Sequence, residues 1–145
     1  MENIIKELNQ FLVDLNVFYR KLQNYHWNIK GRDFFVVHSK LEEYYNEINE
    51  SIDEVAEFIL TKNGEPLGTM KEYLEIAKIT EAENKKINSE EVFTKIIKDF
   101  NYLLNNVKNI KKEADKIEDV ETSTFMDKFI EDYNKKLWML KQTMA

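Results

Sequence analysis

The only two histidines of this 145-residue chain, His26 and His38, stand twelve positions apart on either side of Gly31, in LQNYHWNIKGRDFFVVHSKLEE. Imidazole binds transition metals, so two rings brought together suggest a metal centre. If Gly31 turns the chain between two helices, His26 lies about five residues before the turn and His38 about seven after it, which sets the rings at similar heights. Glu42, one helical turn beyond His38 on the same face, can add a carboxylate. Further along, Asp53 and Glu57 stand at i and i+4 in SIDEVAEFI, and such a pair can hold one cation from a single helix face. Cysteine is absent, which removes thiolate ligands, disulfides and thiol catalysis.

These groups cannot all meet within one chain. His38 and Asp53 are fifteen residues apart on one continuous predicted helix, and a rise of 1.5 Å per residue separates them by roughly 22 Å. Two copies of that helix packed antiparallel about a two-fold axis would bring the histidine end of one against the Asp53/Glu57 end of the other. The Glu-x-x-His motifs that build a di-metal site inside one four-helix subunit occur nowhere in the chain. The ligands therefore imply a site shared between subunits.

The elements that must position them are helices. Ile4, Leu8, Phe11, Leu12, Leu15, Phe18, Tyr19, Leu22, His26 and Ile29 recur at three- and four-residue steps until Lys30-Gly31. A second helix, with Asp33 as its N-cap, carries Phe34, Val37, His38, Leu41, Tyr45, Ile48, Ile52, Val55, Ile59 and Leu60, and NGEPLG ends it. TMKEYLEIA reads as a short helix. A third long helix capped by Ser89 runs from Val92 to Ile117, and a fourth follows the acidic stretch DKIEDVETST and includes Phe125 to Met144. The expected architecture is all-α: one ferritin-like domain over residues 1–145, a four-helix bundle with a short extra helix in the crossover between the second and third helices. No apolar run reaches the roughly 20 residues that span a bilayer, and MENIIKELNQ is amphipathic rather than a signal peptide, so a cytoplasmic protein is expected. A net charge of −6 disfavours a protein that grips phosphate backbones.

HWN, a second histidine twelve residues on and D-x-x-A-E with its Asp fifteen after that together resemble the Dps-like mini-ferritins. LNQFLVDLNVFYRKLQNYHWNIKG is similar to that family's first helix and FFVVHSKLEEYYNEINESIDEVAE to its second. GEPLGTMKEYLEIA and KKLWMLKQ resemble its crossover segment and its last turns. The resemblance implies a ferroxidase centre with His26 and His38 from one subunit and Asp53 and Glu57 from its two-fold partner, Glu42 matching an additional acidic ligand position. It implies Fe(II) oxidation, preferentially by hydrogen peroxide, and storage of Fe(III) mineral inside a dodecameric cage. No organic cofactor is implied. Trp27 would lie near the centre as an electron donor. The family's join before the last helix lines an iron pore at a three-fold axis, for which Asp115 and Asp119, one turn apart, are the candidates here.

Two departures from the pattern stand out. The helical pattern begins at about Ile4 and the chain ends soon after Trp138, without the lysine-rich tail of DNA-binding members, so DNA binding is not expected. Phe58 occupies the position after D-x-x-A-E where the family usually has Arg. Each residue also has a plainer reading. A histidine on an inward helix face is usually a hydrogen-bonded core residue, Asp53, Glu57 and Glu42 taken singly read as a solvated face, and Trp27 as an interface aromatic. The alternative for the whole chain is a cage-forming nucleoid or structural protein with a weak metal site.

Overall fold

A computed structural model describes all 145 residues. Its elements in chain order are α1 (Glu2–Asn28), β1 (Ile29–Lys30), α2 (Phe34–Thr61), α3 (Met70–Ile76), β2 (Ile87–Asn88), α4 (Ser89–Lys116) and α5 (Val120–Met144). The long helices form where apolar residues recur at helical spacing. On α2 the buried set is Val37, Leu41, Tyr44, Ile48, Val55 and Ile59, and on α4 it includes Val92, Ile96, Phe100, Leu103, Val107, Ile110 and Ala114. Each stripe faces the common core, where Phe11 meets Phe129 and Phe18 meets Phe100 edge-to-face at 5.2 and 5.0 Å. Burying a side chain of this size contributes about 1.5–3 kcal/mol, so the interlocked rings are a large part of what holds the two helical hairpins together.

Connectivity follows from where the links are short. Gly31 turns the chain between α1 and α2 with φ of +127°, a conformation that L side chains rarely adopt. Ile117 to Asp119 turn it between α4 and α5, with Glu118 at φ of +57°. Between them, residues 62–88 return from the far end of α2 to the start of α4, so that β2 pairs in parallel with β1, Ile29 opposite Ile87 and Lys30 opposite Asn88. This is the ferritin-like order of two hairpins joined by one long crossover. The two-residue bridge is an addition to the all-α expectation.

The crossover is held by side chains of α1. Asp14, fully buried, accepts hydrogen bonds from the backbone N–H groups of Lys78 and Ile79 (2.7 and 2.9 Å), the Tyr102 hydroxyl (2.7 Å) and the Gln10 amide (2.9 Å). Asn9 receives the N–H of Leu67 and donates to the carbonyl of Glu65. A Cβ at Gly64 would stand 2.8 Å from Ile5, so only glycine lets the chain pass this close to α1.

Capping differs in detail from the sequence expectation. Asp33 precedes α2 but its side chain does not cap it; instead it accepts from the Ser89 hydroxyl at 2.6 Å. Asn88, not Ser89, caps α4 through the N–H of Glu91. The acidic stretch is helix except for the turn at Ile117 to Asp119, because α4 continues through Lys116 and α5 begins at Val120.

Candidate metal centre

The tight turn at Gly31 brings the two histidines into contact. Their rings stack with centroids 3.6 Å apart and planes inclined by 12°. Each is held by the backbone of the opposite helix: His26 Nδ1–H donates to the carbonyl of His38 (2.6 Å), and His38 Nδ1–H donates to the carbonyl of His26 (2.8 Å). A carbonyl only accepts, so the hydrogen belongs on Nδ1 of both rings. In the neutral ring Nε2 then carries the lone pair and is the nitrogen able to bind a metal. His26 is buried and His38 half-buried, the latter also stacked on Phe34 at 4.7 Å.

Around this pair stand an acid and a phenol. Glu42 Oε1 lies 3.7 Å from His26 Nε2, its side chain 55% exposed and so free to turn toward a cation. Tyr45 packs edge-on against His26 with centroids 5.3 Å apart. Its phenol is pushed above its ordinary range by desolvation and, less, by the charge of Glu42 and by Tyr19. Tyr45 stood in the expected core stripe without a role at the centre. The signal that could have found it is its position seven residues beyond His38 and three beyond Glu42, on the same face of α2.

Asp53 and Glu57 are on α2 with His38 and both are exposed. Fifteen residues of helix keep Asp53 roughly 22 Å from His38. Within one chain no group of three or more histidine and carboxylate side chains is arranged to hold a metal ion. Trp27, next to His26, is 54% exposed and lies under the Arg20 guanidinium at 5.7 Å. Phe58 stacks on Phe125 at 4.3 Å, a contact between α2 and α5 that puts an apolar ring beside Glu57 in sequence.

One expected pore residue has another job. Asp119 is buried; it caps α5 through the N–H and hydroxyl of Thr122 (3.2 and 2.6 Å) and pairs with Lys62 at 2.7 Å. Desolvation raises its pKa, but the Lys62 and Thr122 hydrogen bonds outweigh it and hold the carboxyl below the usual range. Both oxygens thus have partners inside the subunit. Asp115, on the last turns of α4, is exposed. It shares a shallow surface pocket with Lys108, Lys111, Lys112 and Lys116.

Two helical hairpins joined by a long crossover with a short helix make a ferritin-like bundle, and residues 5–145 match the family described as Ferritin-like domain. The chain is 39% identical over 140 residues to General stress protein 20U of Bacillus subtilis, covering 97% of this chain and 96% of that protein. It is also 39% identical over 140 residues to DNA protection during starvation protein 2 of Bacillus anthracis, covering 97% and 95%. The solved structure of Dps from Staphylococcus aureus superposes with a TM-score of 0.95 at 34% identity, covering 100% of this chain and 97% of that one. The chain belongs to the Dps family of the ferritin-like superfamily.

Proposed function

We propose that the protein is a ferroxidase and iron store whose oxidation centre forms only between two-fold-related subunits. His26 and His38 bind Fe(II) through Nε2, and Asp53 and Glu57 of the partner subunit complete the site, with Glu42 able to join. One observation carries this reading. Both imidazoles are locked by backbone carbonyls into the tautomer that presents Nε2, while the carboxylates suited to the same ion stand exposed at the other end of α2.

Imidazole and carboxylate together suit iron, and the harder carboxylate oxygens favour the oxidised ion. Two Fe(II) ions each give one electron to one hydrogen peroxide, whose O–O bond breaks; its oxygens leave as water or hydroxide. The two Fe(III) ions hydrolyse, release protons and collect as oxyhydroxide mineral inside a dodecameric cage. Taking both electrons from iron in one event avoids the one-electron cleavage that releases hydroxyl radical. Trp27 beside His26 is a reserve electron donor. Of the two candidate carboxylates at the α4–α5 join, Asp115 is the exposed one and would face an iron inlet at a three-fold axis.

The family match and the near full-length similarity to Dps proteins support this reading. No helix is long and apolar enough to cross a membrane. The test is peroxide-driven oxidation of Fe(II) by purified protein, with a His26→Ala/His38→Ala variant beside it. Oxidation by the variant as fast as by the parent would end the ferroxidase assignment. With a net charge of −6, the protein should not retard DNA in a gel at physiological salt and neutral pH. A shifted band under those conditions would favour the nucleoid alternative.

A further inference from the structure

Away from the metal ligands, a polar pocket of about 300 Å³ opens between α1 and α4. Glu7 and Gln10 stand on one wall, Asn106 and Asn109 on the other, and the exposed Lys6 and Lys78 at its rim. No residue of α2 lines it. Tyr19 and His26, which meet Tyr45 and His38, mark the side of α1 that faces α2. At about 100° per residue, Glu7 and Gln10 lie roughly 140° around α1 from that side. Pairing of two subunits along α2 therefore does not cover the pocket.

Two polar atoms in its walls are buried without a partner. Glu7 Oε1 accepts from Asn109 Nδ2 at 3.0 Å, but Glu7 Oε2 has no donor and Asn106 Nδ2 has no acceptor. The Glu7 carboxyl is pushed above its ordinary range, first by desolvation and then by the charge of Glu113. Each unmet group keeps its desolvation cost until something in the pocket supplies the bond. The Asn109 contact ties Glu7 to α4 about one helical turn from Asn106, so the two atoms are separated by roughly 5 Å, a gap that one oxygen spans with two hydrogen bonds of about 2.8 Å. A hydroxyl answers both, because its hydrogen donates to Glu7 while its oxygen accepts from Asn106. A cation would meet the amide N–H groups and a bare carboxylate would meet Glu7. The ammonium groups of Lys6 and Lys78 at the rim call for negative charge further out.

We propose that this pocket binds a small hydroxy acid, with its hydroxyl between Glu7 and Asn106 and its carboxylates on Lys6 and Lys78. The space is several times the share of one water molecule, about 30 Å³, and so admits an organic solute. Lys78 is well placed for the task, since Asp14 holds its backbone N–H at 2.7 Å and so fixes where the side chain starts. The bound acid joins α1, α4 and the crossover, and stabilises the fold by mass action. None of these residues belongs to the metal centre, so the site stands independently of the ferroxidase reading.

The assembled, metal-free protein is titrated by calorimetry at neutral pH with citrate, with tricarballylate, which is citrate without its hydroxyl, and with glycerophosphate. Citrate should bind in the millimolar range or tighter, and tricarballylate about tenfold more weakly for want of the hydroxyl. Asn106→Leu keeps the charge and removes the donor, so it should weaken citrate about tenfold and leave tricarballylate unchanged. Lys6→Gln/Lys78→Gln should weaken both. Equal affinity of the parent for citrate and tricarballylate, a comparison that needs no variant, overturns the hydroxyl recognition; so does an Asn106→Leu protein that still tells them apart. Tighter binding of glycerophosphate than of citrate overturns the hydroxy-acid assignment in favour of a sugar phosphate. No binding of citrate, or a crystal grown with citrate in which water alone fills the pocket, overturns the site.

Discussion

The proposed centre can be divided along the subunit boundary. His26→Ala/His38→Ala removes one half, Asp53→Ala/Glu57→Ala the other, and each variant alone should oxidise Fe(II) no faster than iron in buffer. The structure sets what happens when they are mixed. His38 and Asp53 share α2 and are kept roughly 22 Å apart by its rise, whereas a ligand atom must come within about 2 Å of its metal. A mixed two-fold pair therefore holds one centre with all four ligands and one with none. Random pairing of equal amounts makes half of the pairs mixed, so about a quarter of all centres are restored. Cages dissociated together, reassembled and assayed with peroxide should recover about a quarter of the rate of identically treated parent, and each variant reassembled with itself should recover nothing. Mass spectrometry would verify that mixed cages formed. If they did and the rate stayed at background, the division of ligands between subunits is wrong. Parent-like activity in either variant alone would refute it as well.

The remaining predictions concern the scaffold. Asp14→Ala strands the N–H groups of Lys78 and Ile79 and the Tyr102 hydroxyl, so it should cost about 2–5 kcal/mol, read as a lowered thermal midpoint and faster proteolysis within residues 62–88. Lys21 and Asp99 form a buried pair at 2.8 Å, and burial raises the Asp99 pKa despite Lys21. Lys21→Met should destabilise by about 3–5 kcal/mol, and adding Asp99→Leu should recover most of it. Because the folded Asp99 pKa is raised, the folded state binds more protons, so its contribution is fully present below about pH 4 and is lost as pH rises through the folded value. Asp119 has the opposite sign. Its lowered pKa adds stability above about pH 4 that fades as pH falls through the folded value. The stability gap between parent and Asp119→Asn should therefore narrow on acidification; a gap that is constant with pH would show that the Lys62 and Thr122 contacts do not act through charge.

Much of the fold was legible because helices are local. The apolar stripes of α1, α2 and α4 could be counted along the chain, and a break at Gly31 could only be a turn. Other details depended on which residues the fold brings together. Whether Asn88 or Ser89 caps α4 turned on Ser89 being drawn to Asp33 across the bundle. Asp14 looked like one more polar position on an amphipathic helix, yet it is the clamp of the crossover, because its partners are backbone groups more than sixty residues away. The pairing of Asp119 with Lys62 could not be read along the chain either, because Lys62 arrives from the end of α2, 57 residues away.

The chain by itself determined which residues can ligate a metal, and helix rise alone determined that they cannot meet within one copy. Only the tertiary structure decided how the histidines are presented. Their stacking, and the carbonyls that take the Nδ1 hydrogens and leave Nε2 for a metal, arise between two helices packed side by side. Periodicity measures distance along one helix, whereas the direction of a ring is set by the backbone facing it.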